Sequence, residues 1–199
     1  MAEASAASAD RGSGQAPAIS STTLVAAGLQ VDVYGLSELP AGATAVSCLW
    51  LFHGRLKRKE HMAETAHRVL AAYNARRQQP PGRGLIAVAF DQRNHGTRVA
   101  DPRASQSWKK GNPTHAQDMF GMVSGMVVDT VLLMDTLEGY LFGAGGGPGA
   151  RADGGARRID QHLVLGISLG GHSAWQLLFS EPRATAGVIV IGCPDYMRK

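Results

Sequence analysis

Residues 162–175 read HLVLGISLGGHSAW. Four strand-forming residues lead into a glycine-flanked Ser168, and a helix-compatible run, residues 172–180, follows directly. This order predicts a strand, a sharp turn and a helix, with the serine hydroxyl held at the corner, clear of the backbone. Gly166 and Gly170 permit strained backbone angles and close packing there. The match alone is a weak signal in a chain with 25 glycines, because an ordinary strand-to-helix turn has the same pattern.

The composition of the 199-residue chain indicates one globular domain. Hydrophobic residues make up 44% and charged residues 18%, and the basic residues behind the +4 net charge are scattered in pairs. Nucleic-acid interfaces combine clustered basic and aromatic side chains, so we expect no nucleic-acid partner. Cys48 and Cys193 both fall in runs predicted to be buried strands, which favours reduced thiols over a disulfide.

The first 20 residues are rich in alanine, serine and glycine, and we predict a disordered tail there. They lack the apolar core of a secretory signal, and Glu3 and Asp10 disfavour a mitochondrial presequence. We expect no membrane span in the rest of the chain and a cytoplasmic location. Residues 21–199 are expected to form the folded domain, with a flexible glycine-rich insertion at residues 143–158.

Strand and helix patterns alternate along the chain. The predicted strands cover residues 22–27, 30–34, 45–52, 85–90, 162–165 and 187–193, and the predicted helices residues 60–79, 115–141 and 172–180. We interpret the methionines of the second helix as core packing. This alternation predicts an α/β fold with a doubly wound, mostly parallel sheet, in which ligands bind beyond the carboxyl ends of the strands.

Three glycine-bearing turns follow the predicted third, fourth and fifth strands. They are His53-Gly54, the segment DQRNHG at residues 91–96, and Ser168 with its flanking glycines. Because the carboxyl ends of parallel strands share one edge of a sheet, these turns are expected to meet. In this order they resemble the motifs of the α/β-hydrolases, more narrowly the esterase, dienelactone-hydrolase and prolyl-oligopeptidase branches, and DQRNHG is similar to that superfamily's D-x-R-G-H-G.

The resemblance implies a serine hydrolase that cleaves a small-molecule ester, thioester or amide through an acyl-enzyme on Ser168, with no metal or organic cofactor. It also implies an oxyanion hole formed by the backbone N–H groups of Arg55 and Leu169. Two such dipoles stabilise the negative oxygen of the tetrahedral intermediate, and losing one donor typically costs about 3 kcal/mol. Acyl specificity and oligomeric state are left open by the sequence.

The chain departs from the superfamily pattern in its acid and base. The triad order there is serine, acid, histidine, but the only histidine after Ser168 is His172. We interpret His172 as a packed helix residue carried away from the strand ends, and we expect structural roles for His95 and His115. Asp195, after the last predicted strand, is a possible acid, because some members of the fold keep theirs there.

Two explanations fit the missing base. The chain is either a truncated form of a longer hydrolase, which the uncovered apolar strand at residues 187–193 favours, or a complete protein that has lost its triad. The functional alternatives are a serine hydrolase with little activity in this form and a non-catalytic module that binds an apolar ligand or a partner chain. The basic run at residues 55–59 could attract an acidic substrate, although a solvated loop leading into a helix is the preferred interpretation.

Overall fold

The computed structural model describes residues 18–76, 82–143 and 145–195. The predicted tail lies outside these ranges up to residue 17, and so does the end of the first predicted helix, residues 77–79. Disorder in that tail therefore stays a prediction.

Six strands and three α-helices form within the described ranges. The strands are β1 (Ser21–Ala26), β2 (Leu29–Tyr34), β3 (Ala45–Phe52), β4 (Arg83–Phe90), β5 (Arg158–Ile167) and β6 (Ala184–Val190), and the helices are α1 (Ala63–Arg76), α2 (His115–Phe142) and α3 (Leu169–Ser180). They build one sheet in the order β1-β2-β4-β3-β5-β6, in which β2 runs antiparallel to β1 and β4 and the other pairs are parallel. The predicted α/β fold with a mostly parallel sheet is confirmed.

The two central strands, β3 and β4, are buried on both faces, as their apolar runs predict. Alternate side chains of β3 enter two separate cores because successive residues of a strand point to opposite faces. Cys48, Trp50 and Phe52 pack with α2 and α3 on one face, whereas Leu49 and Leu51 pack with α1 on the other. The sheet is thus covered by helices on both sides around β3.

Helix α2 is long and apolar enough to cross a membrane by length and composition, with a mean hydropathy of 1.5 over its most apolar window. No segment of that kind was expected from the sequence. However, 56% of this window is buried inside the fold, and Met122, Met126 and Met134 are among its buried residues. The interpretation of these methionines as core packing is confirmed, and the apolar character of α2 follows from its position in the core.

The last strand differs from its prediction. β6 begins three residues earlier than the predicted run and ends at Val190, and only Ala184 among its residues is buried. It is one of the two edge strands of the sheet formed by the described residues, and the chain turns at Ile191, whose φ is 58°. Cys193 therefore lies beyond the strand and is exposed, so its predicted burial is wrong, whereas the predicted burial of Cys48 is confirmed.

The glycine-rich segment between α2 and β5 is anchored by Arg157. Its buried guanidinium donates hydrogen bonds to the carbonyl oxygens of Pro40 at 2.9 Å, Ala43 at 3.2 Å and Gly149 at 2.5 Å. These bonds join the segment to the loop before β3. The flexibility predicted for residues 143–158 stays a prediction.

Candidate active site

Ser168 is the corner residue between β5 and α3, as the sequence predicts. Its φ of 54° and ψ of −114° are unfavourable for any residue except glycine, and such strain persists only where the surroundings enforce it. The Ser168 N–H donates to the carbonyl of Val190 in β6 at 2.8 Å, and the Ser168 carbonyl accepts the N–H of His172 at 3.1 Å. The corner is thus fastened to the neighbouring strand and to the first turn of α3.

The glycines around Ser168 are required by space. A Cβ at Gly166 would collide with the carbonyl of Gly170 and lie 2.9 Å from Ala174. A Cβ at Gly170 would collide with the carbonyl oxygens at the end of β3. Strand, corner and helix can therefore approach this closely only without side chains at both positions.

The turn after β3 lies directly beside Ser168. A Cβ built on Gly54 would be 3.6 Å from the Ser168 Cβ. The turn is closed by a hydrogen bond from the Lys57 N–H to the Gly54 carbonyl at 3.1 Å, and Leu56 has a φ of 62°, as at the third position of a type II turn. The Arg55 N–H is not used by this closing bond.

Leu169 is the first residue of α3, so its N–H has no acceptor within the helix and stands at the positive end of the helix dipole. Its side chain is buried with Met122 and Val123 of α2, and Ala104 packs against the same cluster. These contacts, which the sequence did not suggest, hold the start of α2 and the loop before it against the corner. The Arg55 guanidinium reaches the same loop by donating to the Ser105 carbonyl at 3.0 Å.

His53 connects two of the glycine-bearing turns. Its ring is fully buried, and the hydrogen-bond partners assign the tautomer: Nδ1–H donates to the Gly54 carbonyl at 2.8 Å, and Nε2 accepts the Gln92 N–H at 3.1 Å. Burial, the largest cause, lowers the pKa of His53 to about 4, with a further contribution from nearby His95. Sequence reasoning had used His53 only as part of a motif.

Acidification is therefore expected to destabilise the fold through His53. Between pH 6.5 and pH 4 the unfolded chain binds a proton that the folded chain excludes, so this contribution to stability is complete above pH 6.5 and is lost as the pH falls through 4. The expected loss between pH 7 and pH 4.5 is about 2 kcal/mol in the free energy of unfolding. Urea unfolding of the wild type and His53→Gln at both pH values measures it.

His95 and His162 also have pKa values lowered chiefly by burial, and both histidines are present in the wild type and in His53→Gln. The wild type should lose more stability on acidification than His53→Gln. Equal losses in the two proteins would contradict the role given to His53.

Asp91, the first residue of DQRNHG, is a buried anchor for the neighbouring turns. Its carboxylate accepts the Lys59 N–H at 2.9 Å, and the N–H and hydroxyl of Thr97 at 2.9 and 3.0 Å. A Cβ at Gly96 would collide with this carboxylate, which explains the glycine that ends the motif. The DQRNHG segment therefore fixes the backbone at Lys59 and Thr97 through the Asp91 carboxylate, and that carboxylate in turn requires glycine at residue 96.

The preferred interpretation of residues 55–59 as a solvated loop is wrong at Lys59. This side chain is buried, and its ammonium lies 2.7 Å from both carboxylate oxygens of Asp32 in β2. The reason is that β2 places a carboxylate under the loop, where the ion pair and its hydrogen bonds offset the loss of hydration.

His95 and His115 are the two histidines for which the sequence predicts structural roles. His95 is buried, with its ring centroid 5.4 Å from that of His53 and its Nδ1 3.1 Å from the Arg93 carbonyl, and His115 packs against Trp108 at 4.5 Å. Both arrangements fit the expected structural roles.

His172 was expected to point away from the strand ends, and this is wrong. Its Nδ1 lies 3.0 Å from the carbonyl oxygen and 3.1 Å from the amide nitrogen of Cys193, because the chain folds back over the first turn of α3 after leaving β6. Asp195 lies in the exposed turn that follows, and its role as an acid stays a prediction. Within the described ranges, no histidine is hydrogen-bonded to the Ser168 hydroxyl.

The described part of the chain contains no group of three or more His, Cys, Asp or Glu side chains placed to hold a metal ion. The polar groups at the corner itself are the Ser168 hydroxyl and the Leu169 N–H, and the turn that contains Arg55 lies beside them. This arrangement suits attack on a carbonyl carbon and stabilisation of the oxyanion that results.

Solved structures share this fold. TT1662 from Thermus thermophilus has 24% sequence identity and a TM-score of 0.56, over 87% of this chain and 57% of that one. A cold-adapted esterase from an Arctic intertidal metagenomic library (17% identity, TM-score 0.47, 85% of this chain and 58% of that one) and the epoxide hydrolase VrEH1 from Vigna radiata (17%, 0.45, 86% and 39%) are more distant. No protein-family model and no curated protein sequence matches the chain. The chain thus spans little more than half the length of TT1662.

Proposed function

We propose that the chain, with its α/β-hydrolase fold, is the part of a serine hydrolase that carries the nucleophile, Ser168. The observation that supports this most strongly is the strained backbone of Ser168, which has a φ of 54°. Ser168 lies between Gly166 and Gly170, and a side chain at either of these two positions would collide with neighbouring backbone. A corner of this kind presents the hydroxyl at the carboxyl ends of the strands, where substrates bind in such sheets.

In the proposed reaction, the Ser168 hydroxyl attacks the carbonyl carbon of a small ester, thioester or amide. The N–H groups of Arg55 and Leu169 donate to the developing oxyanion, and collapse of the tetrahedral intermediate expels an alcohol, thiol or amine. Water then hydrolyses the acyl-enzyme, which releases a carboxylic acid and restores the serine. No cofactor takes part, and a cytoplasmic location remains part of the proposal.

The serine must lose a proton during this attack, so the proposal requires a base from outside the described residues. Asp195 is the candidate acid on the chain. Removing the histidine of a comparable triad lowers turnover on the order of a millionfold. We therefore expect nearly no hydrolase activity from the 199-residue chain by itself.

A fluorophosphonate probe with added imidazole tests the nucleophile, since imidazole supplies the missing base in solution. Labelling of the wild type is expected to be slow, to rise with imidazole concentration and to disappear in Ser168→Ala. Ser180→Ala, an exposed serine at the other end of α3, is the matched control and should label like the wild type.

Labelling that persists in Ser168→Ala, or no gain from imidazole, would count against Ser168. Rapid labelling without imidazole would support the nucleophile but overturn the expected low activity of this chain.

A non-catalytic binding module is the second candidate. It is favoured by the lack of a histidine hydrogen-bonded to the Ser168 hydroxyl in the described residues. Binding of an apolar ligand that survives Ser168→Ala, with no turnover in any longer form of the protein, would support this alternative.

A further inference from the structure

The turn that carries the Arg55 N–H, residues 54–57, is strained by its own sequence. Leu56 has a φ of 62°, at a position where turns of this kind normally have glycine. Its side chain is 54% exposed and gains little packing in return. A residue stays in such a conformation only where its surroundings enforce it, so contacts on either side must hold this turn in place.

The chain before the turn is fixed to the end of β4. The buried ring of His53 accepts the Gln92 N–H at 3.1 Å, and the Gln92 side-chain amide donates to the His53 carbonyl. These two bonds hold the point at which the chain enters the turn.

The chain after the turn is fixed at Lys59, through both its backbone and its side chain. The Lys59 N–H donates to the Asp91 carboxylate at 2.9 Å, and the ammonium donates to both carboxylate oxygens of Asp32 at 2.7 Å. Lys59 is 4% exposed and Asp32 is 6% exposed. Because little water reaches this ion pair, it is screened far less than a surface pair.

Asp32 provides a rigid point of attachment for the ammonium. It lies in β2, opposite Thr23 of β1 and Ala89 of β4. The Thr23 hydroxyl also donates to the Asp32 carboxylate at 2.7 Å, which fixes the orientation of that side chain. Lys59 therefore connects the end of the turn to the antiparallel part of the sheet.

We propose that Lys59 is a positioning residue for the oxyanion hole. Its buried ion pair with Asp32 holds the strained turn in the conformation that presents the Arg55 N–H beside Ser168. This role rests on the function proposed above for Ser168 and Arg55. Without the ammonium, the Asp32 carboxylate would be buried without its cation, so the loop would open to hydrate it and the turn would relax.

Imidazole-assisted labelling by the fluorophosphonate probe tests this role when the rate is expressed per folded molecule, with the folded fraction taken from urea unfolding. Lys59→Met is expected to label roughly tenfold more slowly than the wild type, because its oxyanion donor is displaced but still present. Lys59→Arg restores a cation that can pair with Asp32 and should recover about a third of the wild-type rate or more. Arg68→Met, which removes the cation of an exposed ion pair on α1, is the matched control and should label like the wild type.

Leu56→Gly separates positioning from stability. Glycine adopts the left-handed conformation without strain, so in Leu56→Gly combined with Lys59→Met the turn forms without the ion pair, and labelling should return to within about threefold of the wild-type rate. A purely structural role for Lys59 would lower the stability and leave the rate per folded molecule unchanged. If Lys59→Met does not fold, Asp32→Asn gives the same comparison, because it weakens the ion pair and leaves no unpaired carboxylate.

A wild-type labelling rate in folded Lys59→Met or in Asp32→Asn, or a double variant that stays slow, would overturn the role of Lys59 and leave Ser168 as the nucleophile. Absence of Ser168-dependent labelling in the wild type would overturn the proposed function, and the role of Lys59 with it.

Discussion

Replacing Gly170 by alanine is expected to lower the free energy of unfolding by about 3 kcal/mol or more. The added Cβ would overlap the carbonyl oxygens of Phe52 and His53. Phe52 ends β3, which is paired with β4 on one side and β5 on the other, so its backbone cannot move without breaking those pairings. The first turn of α3 would have to shift instead, and Ser168 with it.

Urea unfolding of Gly170→Ala measures this loss, and Gly121→Ala is its matched control. Gly121 lies in the exposed part of α2, and a Cβ there has no neighbour within 4 Å. Because alanine has the higher helix propensity, Gly121→Ala should stabilise the protein by about 0.5–1 kcal/mol. Similar effects at the two positions would contradict the collision expected between a side chain at residue 170 and the end of β3.

Truncating Trp50 to alanine is expected to cost about 3–5 kcal/mol in the free energy of unfolding. Trp50 lies in the central strand β3 and is fully buried between the sheet and the helices α2 and α3. Its indole N–H donates to Nδ1 of His162 in β5 at 3.2 Å, and the two rings stack with centroids 6.0 Å apart. The substitution removes both the largest fully buried side chain of the described core and this buried hydrogen bond.

Trp50→Phe separates the two contributions, because phenylalanine retains much of the volume but leaves the His162 acceptor without a donor. A loss of about 1–3 kcal/mol is expected for this variant. If Trp50→Phe were as unstable as Trp50→Ala, the hydrogen bond would dominate over the volume of the ring.

The sequence predicted the elements whose signals are local. The run at residues 45–52 gave the bounds of β3 without error, because a strand buried on both faces requires consecutive apolar residues. The corner at Ser168 was equally predictable from its local pattern. Of its two glycines, Gly166 is required by contacts within the same strand–turn–helix unit, whereas Gly170 is required by the carbonyl oxygens at the end of β3. The predictions of β3 and of the corner both use patterns of residues that are close together in the sequence.

The errors arose where distant segments decide the outcome. Lys59 is buried because Asp32, far away in sequence, provides a carboxylate beneath it. Cys193 is exposed because β6 is an edge strand that ends at a turn, and an apolar run does not reveal which strands have one neighbour. His172 faces the chain after β6 for the same reason, since only the path of that segment places an N–H beside its ring.

The hydrogen bond from the Ser168 N–H to Val190 ties the most strained residue of the corner to the outermost strand of the sheet. Fraying of β6 would release this amide, so the rate at which it exchanges with deuterium measures how often the corner opens. The proposed nucleophile is thus only as well ordered as the edge strand beside it. A strand that pairs with β6 would slow this exchange and restrict the motion of the serine without contacting it.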